Sequence, residues 1–370
     1  MSTFTCRWGI LATGGIAESF SLDLLLDPAS REVRDVRHEI VAVASSSSQQ
    51  RSQDFIARVG ADKQQGDNVR VAAYGSYEEL VADANVDVIY IATPHSHHYD
   101  NVKLCLRGGK NVCCEKPFTV NSTQTEKLIA LAREKNVFLM EAVWIRFFPI
   151  MAEIRDLLHR QQIVGKILRS TSEFGERMPT DPNHRILNPN LAGGALLDIG
   201  IYPLTWQLSL LGEHPDNGGQ PPKVTSSMIK SKATGVDEQT TLILDFERLG
   251  VQSTVNCNLN VKTHSFCTLV QGEKGDLQVS WAPMRPESYT FFPRKESDGD
   301  VDVQAAKTVT RDIPGHGMFW EADAVARCLR DGRKEADLCP LATTLLSQQI
   351  METARSQNSL RYPDALEAAN

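Results

Sequence analysis

The sequence predicts a two-domain α/β protein: a doubly wound parallel sheet over residues 1–145, then an α+β domain with a mostly antiparallel sheet over 146–370. Three observations predict it. At 370 residues the chain exceeds the usual span of one domain. Strand-like and helix-like segments alternate through the first part of the chain, at the spacing of βαβ units. Beyond about residue 150 the texture changes to alternating apolar and polar stretches separated by turn residues.

The elements follow in order. Arg7 to Ala12 is a short apolar run ending near glycines, and a helix is expected from about Gly15. Ile40 to Ala44 is a continuous small apolar run, as in a strand buried on both faces. Gln49 to Val59 reads as a helix, and Val86 to Ala92 as the clearest strand, rich in β-branched residues. A helix at His98–Arg107, a strand at Asn111–Cys114, a helix at Asn121–Lys135 and a strand at Val137–Glu141 complete the first domain. In the second, Met151–Gln161 and Asp198–Leu211 read as helices. Between Val224 and Phe292 the segments TTLILDF, VQSTVNCNLNV, HSFCTLVQG and DLQVSWA read as strands with one face against helices. Met318–Arg330 and Leu341–Arg355 are expected as late helices, and Ala61–Asn68, Gly212–Lys223 and Glu296–Val303 as surface loops.

Composition narrows the function classes. Hydrophobic residues make up 41% and charged residues 23%, enough apolar material for full-sized cores. The net charge of −7 argues against a nucleic-acid partner, because a phosphate backbone calls for a basic face. The most apolar stretch, Ala195 to Leu211, is interrupted by Asp198 and Pro203, so no membrane span is expected. The N-terminus lacks the basic flank and cleavage site of a signal peptide. None of the eight cysteines forms a CxxC pair, and buried free thiols in a reducing cytoplasm are expected.

Trp8 to Ala17 places Ala12, Gly14, Gly15 and Ile16 at a strand-to-helix turn. Glycines there let the backbone approach a pyrophosphate and leave N–H groups free to bind it. Read as A-x-G-x-x-A, the match to the dinucleotide fingerprint is imperfect, and alone it also fits an ordinary tight turn. The second strand is followed by Ser45-Ser46-Ser47-Ser48-Gln49-Gln50-Arg51, without the carboxylate that NAD enzymes place there. Ser45, Ser46 and Arg51 could bond a 2′-phosphate, so NADP is expected before NAD; some of these serines could equally cap the next helix.

Thr93-Pro94-His95-Ser96-His97-His98 follows the strongest strand, where an open α/β sheet places its ligands. The histidines share one short loop and no Cys or carboxylate pattern completes a zinc set, so no metal is expected. Glu115-Lys116-Pro117 ends the next strand. A charged pair beside a nucleotide cleft suits proton transfer, although a salt bridge at a strand end would look the same.

Taken together, the nucleotide turn, the stretch TPHSHHYDNVKLCLRGGKNVCCEKP and the stretch Gly193-Gly194-Ala195-Leu196-Leu197-Asp198-Ile199-Gly200-Ile201-Tyr202-Pro203 resemble the Gfo/Idh/MocA oxidoreductase family over nearly the whole chain. Met140 to Pro149, the tyrosine at 202 and the stretch His316 to Asp323 resemble the subgroup of NADP-dependent D-xylose 1-dehydrogenases and dimeric trans-dihydrodiol dehydrogenases. The resemblance implies a Rossmann domain followed by a domain with a large open sheet, a homodimer, and a sugar or diol substrate oxidised by hydride transfer. It implies that Lys116 is catalytic and that Asp198 and Tyr202 complete the site. Asp198 and Tyr202 are four residues apart at a predicted helix start and so share a face, with Pro203 tolerable in that first turn. A nearby ammonium favours a phenolate, which makes Tyr202 a usable base, with Asp198 orienting the sugar or holding Lys116. Thr93, Pro94, His98, Glu115, Trp144 and Arg146 are expected along the cofactor, and Arg185 at substrate hydroxyls; Arg146 could instead form a structural ion pair. Ala12, where glycine is commoner, and Ser46, where many NADP-using members carry arginine, depart from the pattern. A nucleotide-sensing regulator on the same fold is the alternative of a different class, since fold alone does not dictate activity.

Overall fold

The computed structural model describes residues 3–64 and 70–369, and the chain divides into two compact units. The first comprises Met1–Trp144, Pro314–Leu345 and Ala368–Asn370; the second comprises Ile145–Ile313 and Leu346–Glu367.

In the first unit β1 (Phe4–Leu11), α1 (Gly15–Leu24), β2 (Val36–Ala44), α2 (Gln49–Val59), β3 (Ala72–Tyr74), α3 (Tyr77–Ala82), β4 (Val88–Ile91), α4 (His98–Arg107), β5 (Asn111–Glu115), α5 (Ser122–Lys135) and β6 (Leu139–Ala142) alternate, all but β3 and α3 as the sequence predicts. Among the described residues the strands form one parallel sheet in the order β3-β2-β1-β4-β5-β6. That is the doubly wound order, with its switch point between β1 and β4, where ligands bind beyond the strand ends. Continuous apolar runs build it, because helices cover both faces: Ala42, Ile89, Ile91, Val112 and Leu139 pack in one core with Val102, Leu106 and Leu128 from the helices. Local signals set helix starts: the side chains of Ser48 and Asn121 cap α2 and α5, and Ser76 with Glu79 forms a capping box on α3. The expected loop at Ala61–Asn68 begins with a short 3-10 turn, Ala61–Lys63, and its part from residue 65 lies outside the described residues. β3 and α3, absent from the sequence reading, are only three and six residues long, too short for a periodic pattern to register.

The second unit runs α6 (Pro149–His159), β7 (Ile167–Gly175) and a helical run with α7 (Ile201–Gln207) at its centre. π turns at Leu196–Gly200 and Leu208–Gly212 flank α7. Then come β8 (Lys223–Lys230), β9 (Asp237–Phe246), β10 (Val251–Asn258), β11 (Phe266–Gly272), β12 (Gly275–Ser280), β13 (Ser288–Pro293) and β14 (Lys307–Thr310). Among the described residues they form one eight-stranded sheet in the order β14-β13-β12-β11-β7-β10-β9-β8, antiparallel except for β7 beside β10. The central strand β7 escapes the sequence reading because two of its inward positions are Ser170 and Ser172, both buried. Ser172 is accommodated by bonds with Thr268 (2.8 Å) and Gln207 (2.6 Å). The face turned from the core carries a cross-strand row: Ile243 pairs with Thr254, Thr254 with Thr171, Thr171 with Leu269 and Leu269 with Gln278.

The chain re-enters the first unit at residue 314, so the second unit is not one continuous run from 146 to 370. A buried ion-pair network ties the returning segment to that unit. On α8 (Phe319–Arg330), Asp323 receives Arg31 at 2.6 Å and His38 Nε2 at 2.9 Å, and all three side chains are buried. Trp8 Nε1–H donates to His38 Nδ1 at 3.1 Å. An indole only donates, so His38 Nδ1 is the acceptor and Nε2 carries the proton toward Asp323. The division falls within α9 (Leu341–Gln357), and α10 (Asp364–Glu367) closes the second unit. Among the described residues no helix is long and apolar enough to cross a membrane.

Candidate active site

In the first unit β1 delivers the chain to a turn at Ala12-Thr13-Gly14, and α1 begins at Gly15. Ala12 adopts φ +83°, a left-handed conformation that glycine takes at less cost. Its N–H is held by Ala44 O at 3.0 Å, which ties the turn to the end of β2. Among the described residues no side chain caps α1, and a Cβ built on Gly14 or Gly15 would meet no heavy atom within 4 Å. Helix N–H groups there face space that a diphosphate fits, with Ile16 partly exposed beside them. Arg58 donates to Thr13 O (3.4 Å) and to Glu18 (2.9 Å), bracing the same turn; no local motif marks it.

At the end of β2, Ser45 and Ser47 share a hydroxyl bond of 2.9 Å, and Arg51 Nη1 donates to Ser47 Oγ at 3.4 Å. Ser48 spends its hydroxyl on Arg51 N as the cap of α2. The capping reading of this segment thus applies to Ser48. Ser46 is exposed, and among Ser45 to Arg51 there is no carboxylate. These groups fit the adenosine end of a dinucleotide.

Beyond β4, His98 is buried with Nε2 at 2.8 Å from Thr93 O and Nδ1 at 2.8 Å from Pro117 O. Asn101 donates to Thr93 Oγ1 at 3.1 Å. Burial pushes the His98 pKa down to about 3, so the ring is neutral and donates to one of the two carbonyls. His98 thus ties the Thr93-Pro94 loop to Pro117 and so steadies the backbone that presents Lys116. The Lys116–Pro117 peptide is cis. Glu115 is buried; its Oε1 accepts the Tyr90 hydroxyl and its Oε2 accepts Lys116 N–H at 3.1 Å. Tyr90 stacks on Phe20 with centroids 3.7 Å apart. A polar-tipped ring inside an otherwise apolar strand was the available signal for Tyr90, since a buried hydroxyl needs a partner. Burial, reinforced by the Glu115 and Asp23 charges, pushes the Glu321 carboxyl well above its usual range. Among the described residues neither Glu321 oxygen has a hydrogen-bond partner.

In the second unit Asp198 lies in the π turn and Tyr202 at the start of α7, both buried. The helical run begins at Leu196, so Pro203 sits past its first turn, contrary to the sequence expectation. The preceding turn is π, a wider geometry found where the α ladder is interrupted. Arg185 Nη1 donates to Asp198 Oδ1 at 2.9 Å, and Phe174 lies 5.9 Å from the Tyr202 ring. Gly193 and Gly194 form a tight corner: a Cβ on Gly193 would lie 2.7 Å from Ile186 O. Arg146 is buried, bonded to Ser209 Oγ at 3.2 Å and paired with Glu213. That is the structural ion pair its residue type also allowed. Trp144, the last residue of that stretch of the first unit, is buried.

The structure therefore groups Ala12, Gly14, Gly15 and Ile16 in one turn, Ser45 and Arg51 in one network, Thr93, His98 and the 115–117 tripeptide in another, and Arg185 with Asp198. Lys116 belongs to the first unit; Asp198 and Tyr202 belong to the second.

A parallel sheet in this order, with an uncapped glycine turn at its switch point, defines a dinucleotide-binding fold of the Rossmann class. The chain belongs to the GFO/IDH/MocA oxidoreductase family: the NAD-binding Rossmann model matches residues 6–143 and the C-terminal domain model residues 151–278. It is 43% identical to a D-xylose 1-dehydrogenase (NADP(+)) of Hypocrea jecorina, over 98% of this chain and 94% of that protein. It is 37% identical to the trans-1,2-dihydrobenzene-1,2-diol dehydrogenase of Mus musculus, over 96% and 98%. Among solved structures, a levoglucosan dehydrogenase aligns with a TM-score of 0.80 at 16% identity, covering 96% of this chain and 97% of that one. A 3-ketoreductase from Actinomadura kijaniata aligns at 0.77 and 21%, covering 96% and 98%. At those identities the solved structures establish the fold alone.

Proposed function

We propose that this enzyme oxidises an aldose at C1, D-xylose first among them, to the lactone with NADP as the hydride acceptor. The observation that carries the reading is the 43% identity, across almost the full length of both chains, to a D-xylose 1-dehydrogenase that uses NADP(+). Bound NADP would supply the acceptor for the C1 hydride. Gly14, Gly15 and the N-terminus of α1 would hold its diphosphate, and Ser45, Ser46 and Arg51 its 2′-phosphate. Thr93, Pro94, His98, Glu115 and Trp144 would line the rest, while Arg146 acts through its pair with Glu213.

The chain's own residues handle the proton. Tyr202 takes it from the C1 hydroxyl as the C–H bond breaks, so that C1 leaves as a carbonyl. Lys116 stabilises the phenolate form of that base, and Asp198, with Arg185, orients the sugar hydroxyls. The likeness to dihydrodiol dehydrogenases supports a second reading, oxidation of a trans-dihydrodiol by the same residues.

The test is purified protein with NADP and a panel of pentoses, hexoses and dihydrodiols. The expected result is the largest kcat/KM for D-xylose, and larger values with NADP than with NAD. A clear preference for a dihydrodiol would move the substrate; absence of hydride transfer with every compound would defeat both readings. Oligomerisation belongs to the same proposal: the half-buried row Ile243, Thr254, Thr171 and Leu269 offers a flat face for a homodimer, and sedimentation at a monomer's mass would remove it. All eight cysteines are buried free thiols, which fits a reducing compartment such as the cytoplasm.

A further inference from the structure

The helical run from Leu196 to Gly212 begins without a local cap. Neither Gly194 nor Ala195, which lead into it, has a side chain that can accept a hydrogen bond. The acceptor comes from elsewhere in the second unit. Asp237, the first residue of β9, is fully buried, and its Oδ2 accepts Leu196 N–H at 2.8 Å and the Thr240 hydroxyl at 2.6 Å. A carboxyl oxygen at that place meets the positive end of the helix dipole. Its other oxygen, Oδ1, has no hydrogen-bond partner among the described residues. Oδ1 points at the glycine corner, where a Cβ on Gly194 would approach it to 2.2 Å.

Asp237 is one of several contacts on that corner. Gly194 N–H donates to Ile186 O at 2.7 Å, and Tyr362 donates its hydroxyl to Gly193 O at 2.6 Å. Further along, a Cβ on Gly200 would lie 3.0 Å from Cys257 Sγ. Keeping a carboxyl buried with one oxygen unspent costs stability. The bonded oxygen acts where the Leu196 turn starts, in the same π turn as Asp198 and one turn before Tyr202.

We propose that Asp237 is a positioning residue: by anchoring Leu196 N–H it fixes the start of the helix, and with it the directions in which Asp198 and Tyr202 project. The inference rests on the functional reading above for its kinetic part. Groups acting in proton and hydride transfer lose rate steeply when displaced by an ångström. The cap needs an acceptor oxygen rather than a charge, so asparagine can replace aspartate in it.

The test compares Asp237→Ala, Asp237→Asn and Thr240→Val with the wild-type enzyme. Three measurements are made: kcat and KM for the sugar, NADP affinity by protein fluorescence, and amide hydrogen exchange across residues 194–202. Asp237→Ala is expected to lower kcat roughly tenfold to a hundredfold, with a smaller change in KM and NADP affinity within about twofold. Its amides from Leu196 to Tyr202 exchange faster, and Asp237→Asn restores most of kcat and of the protection. A kcat and an exchange pattern unchanged in Asp237→Ala would overturn the proposal, as would an asparagine variant no better than alanine. Should Asp237→Ala fail to fold, Thr240→Val decides: faster exchange at Leu196 with a lower kcat supports the anchor, and no change in either refutes it. If the wild-type enzyme oxidises no compound in the panel, the functional reading fails, while the exchange data still accept or reject the anchor.

Discussion

Arg185 Nη1 donates to Asp198 Oδ1 at 2.9 Å, joining a half-exposed guanidinium to a buried carboxylate. Both residues stand out in the sequence, but for separate roles. Their pairing means that Arg185 bears on the carboxylate proposed to orient the sugar. Arg185→Ala is expected to raise KM for the sugar roughly threefold to tenfold, the scale of one partly exposed ionic contact. Arg185→Lys should recover only part of this, because an ammonium lacks the planar fork. Steady-state kinetics check it, and an unchanged KM in the alanine variant would show the pair to be structural.

Lys116 follows a buried Glu115 and precedes Pro117, whose carbonyl is beside His98. Replacing it with methionine removes the charge and keeps most of the volume. The expected fall in kcat is about 10²- to 10⁴-fold, with NADP affinity changed far less. Turnover close to normal, measured alongside an unchanged circular dichroism spectrum, would take Lys116 out of the mechanism.

Ala12 holds φ +83° at the nucleotide turn. A left-handed alanine costs about 1–2 kcal/mol, and glycine gives back about 0.5–1 kcal/mol of that as chain entropy. Ala12→Gly should therefore raise unfolding stability by about 1 kcal/mol or less, without weakening dinucleotide binding. Urea denaturation at constant m checks the first part and fluorescence titration the second.

Glu321 supplies a pH signature. Burial, with the charges of Glu115 and Asp23, raises its folded pKa, while in the unfolded chain it ionises normally. The native state then binds the extra proton, so this contribution to stability is complete below the unfolded pKa and is lost as pH rises toward the folded one. Glu321→Gln cannot ionise. The stability difference between variant and wild type should move in the variant's favour from pH 4.5 to 8.5, by at most about 1.4 kcal/mol per pH unit. Melting temperatures across that range check it; a flat difference would mean that the buried carboxyl is not held protonated.

Much of the fold was legible in periodicity. The alternation through residue 142 and the helices at Gln49–Val59 and His98–Arg107 are where the pattern puts them. Apolar runs and caps are local properties, which a reading of neighbours along the chain can register. β7 was not legible, because Ser170 and Ser172 are buried without being apolar, and Ser172 is accommodated by bonds with Thr268 and Gln207 that no local pattern shows. The π turn before Pro203 was not legible either, since the helix starts at Leu196 on an acceptor taken from Asp237.

By itself the sequence determined the parallel first unit, the glycine turn at Gly14-Gly15, the placement of Glu115-Lys116-Pro117 at a strand end and the Asp198–Tyr202 spacing. Each depends on residues within a few positions of one another. Tertiary structure alone decided that α8 returns to the first unit through Asp323, His38 and Arg31, that Tyr90 occupies Glu115, and that Asp237 anchors the helix of Asp198 and Tyr202. A pattern of polar and apolar residues reports that a side chain will be buried. Which distant group then satisfies its hydrogen bonds is settled only when the chain has folded and the alternatives have been excluded by packing.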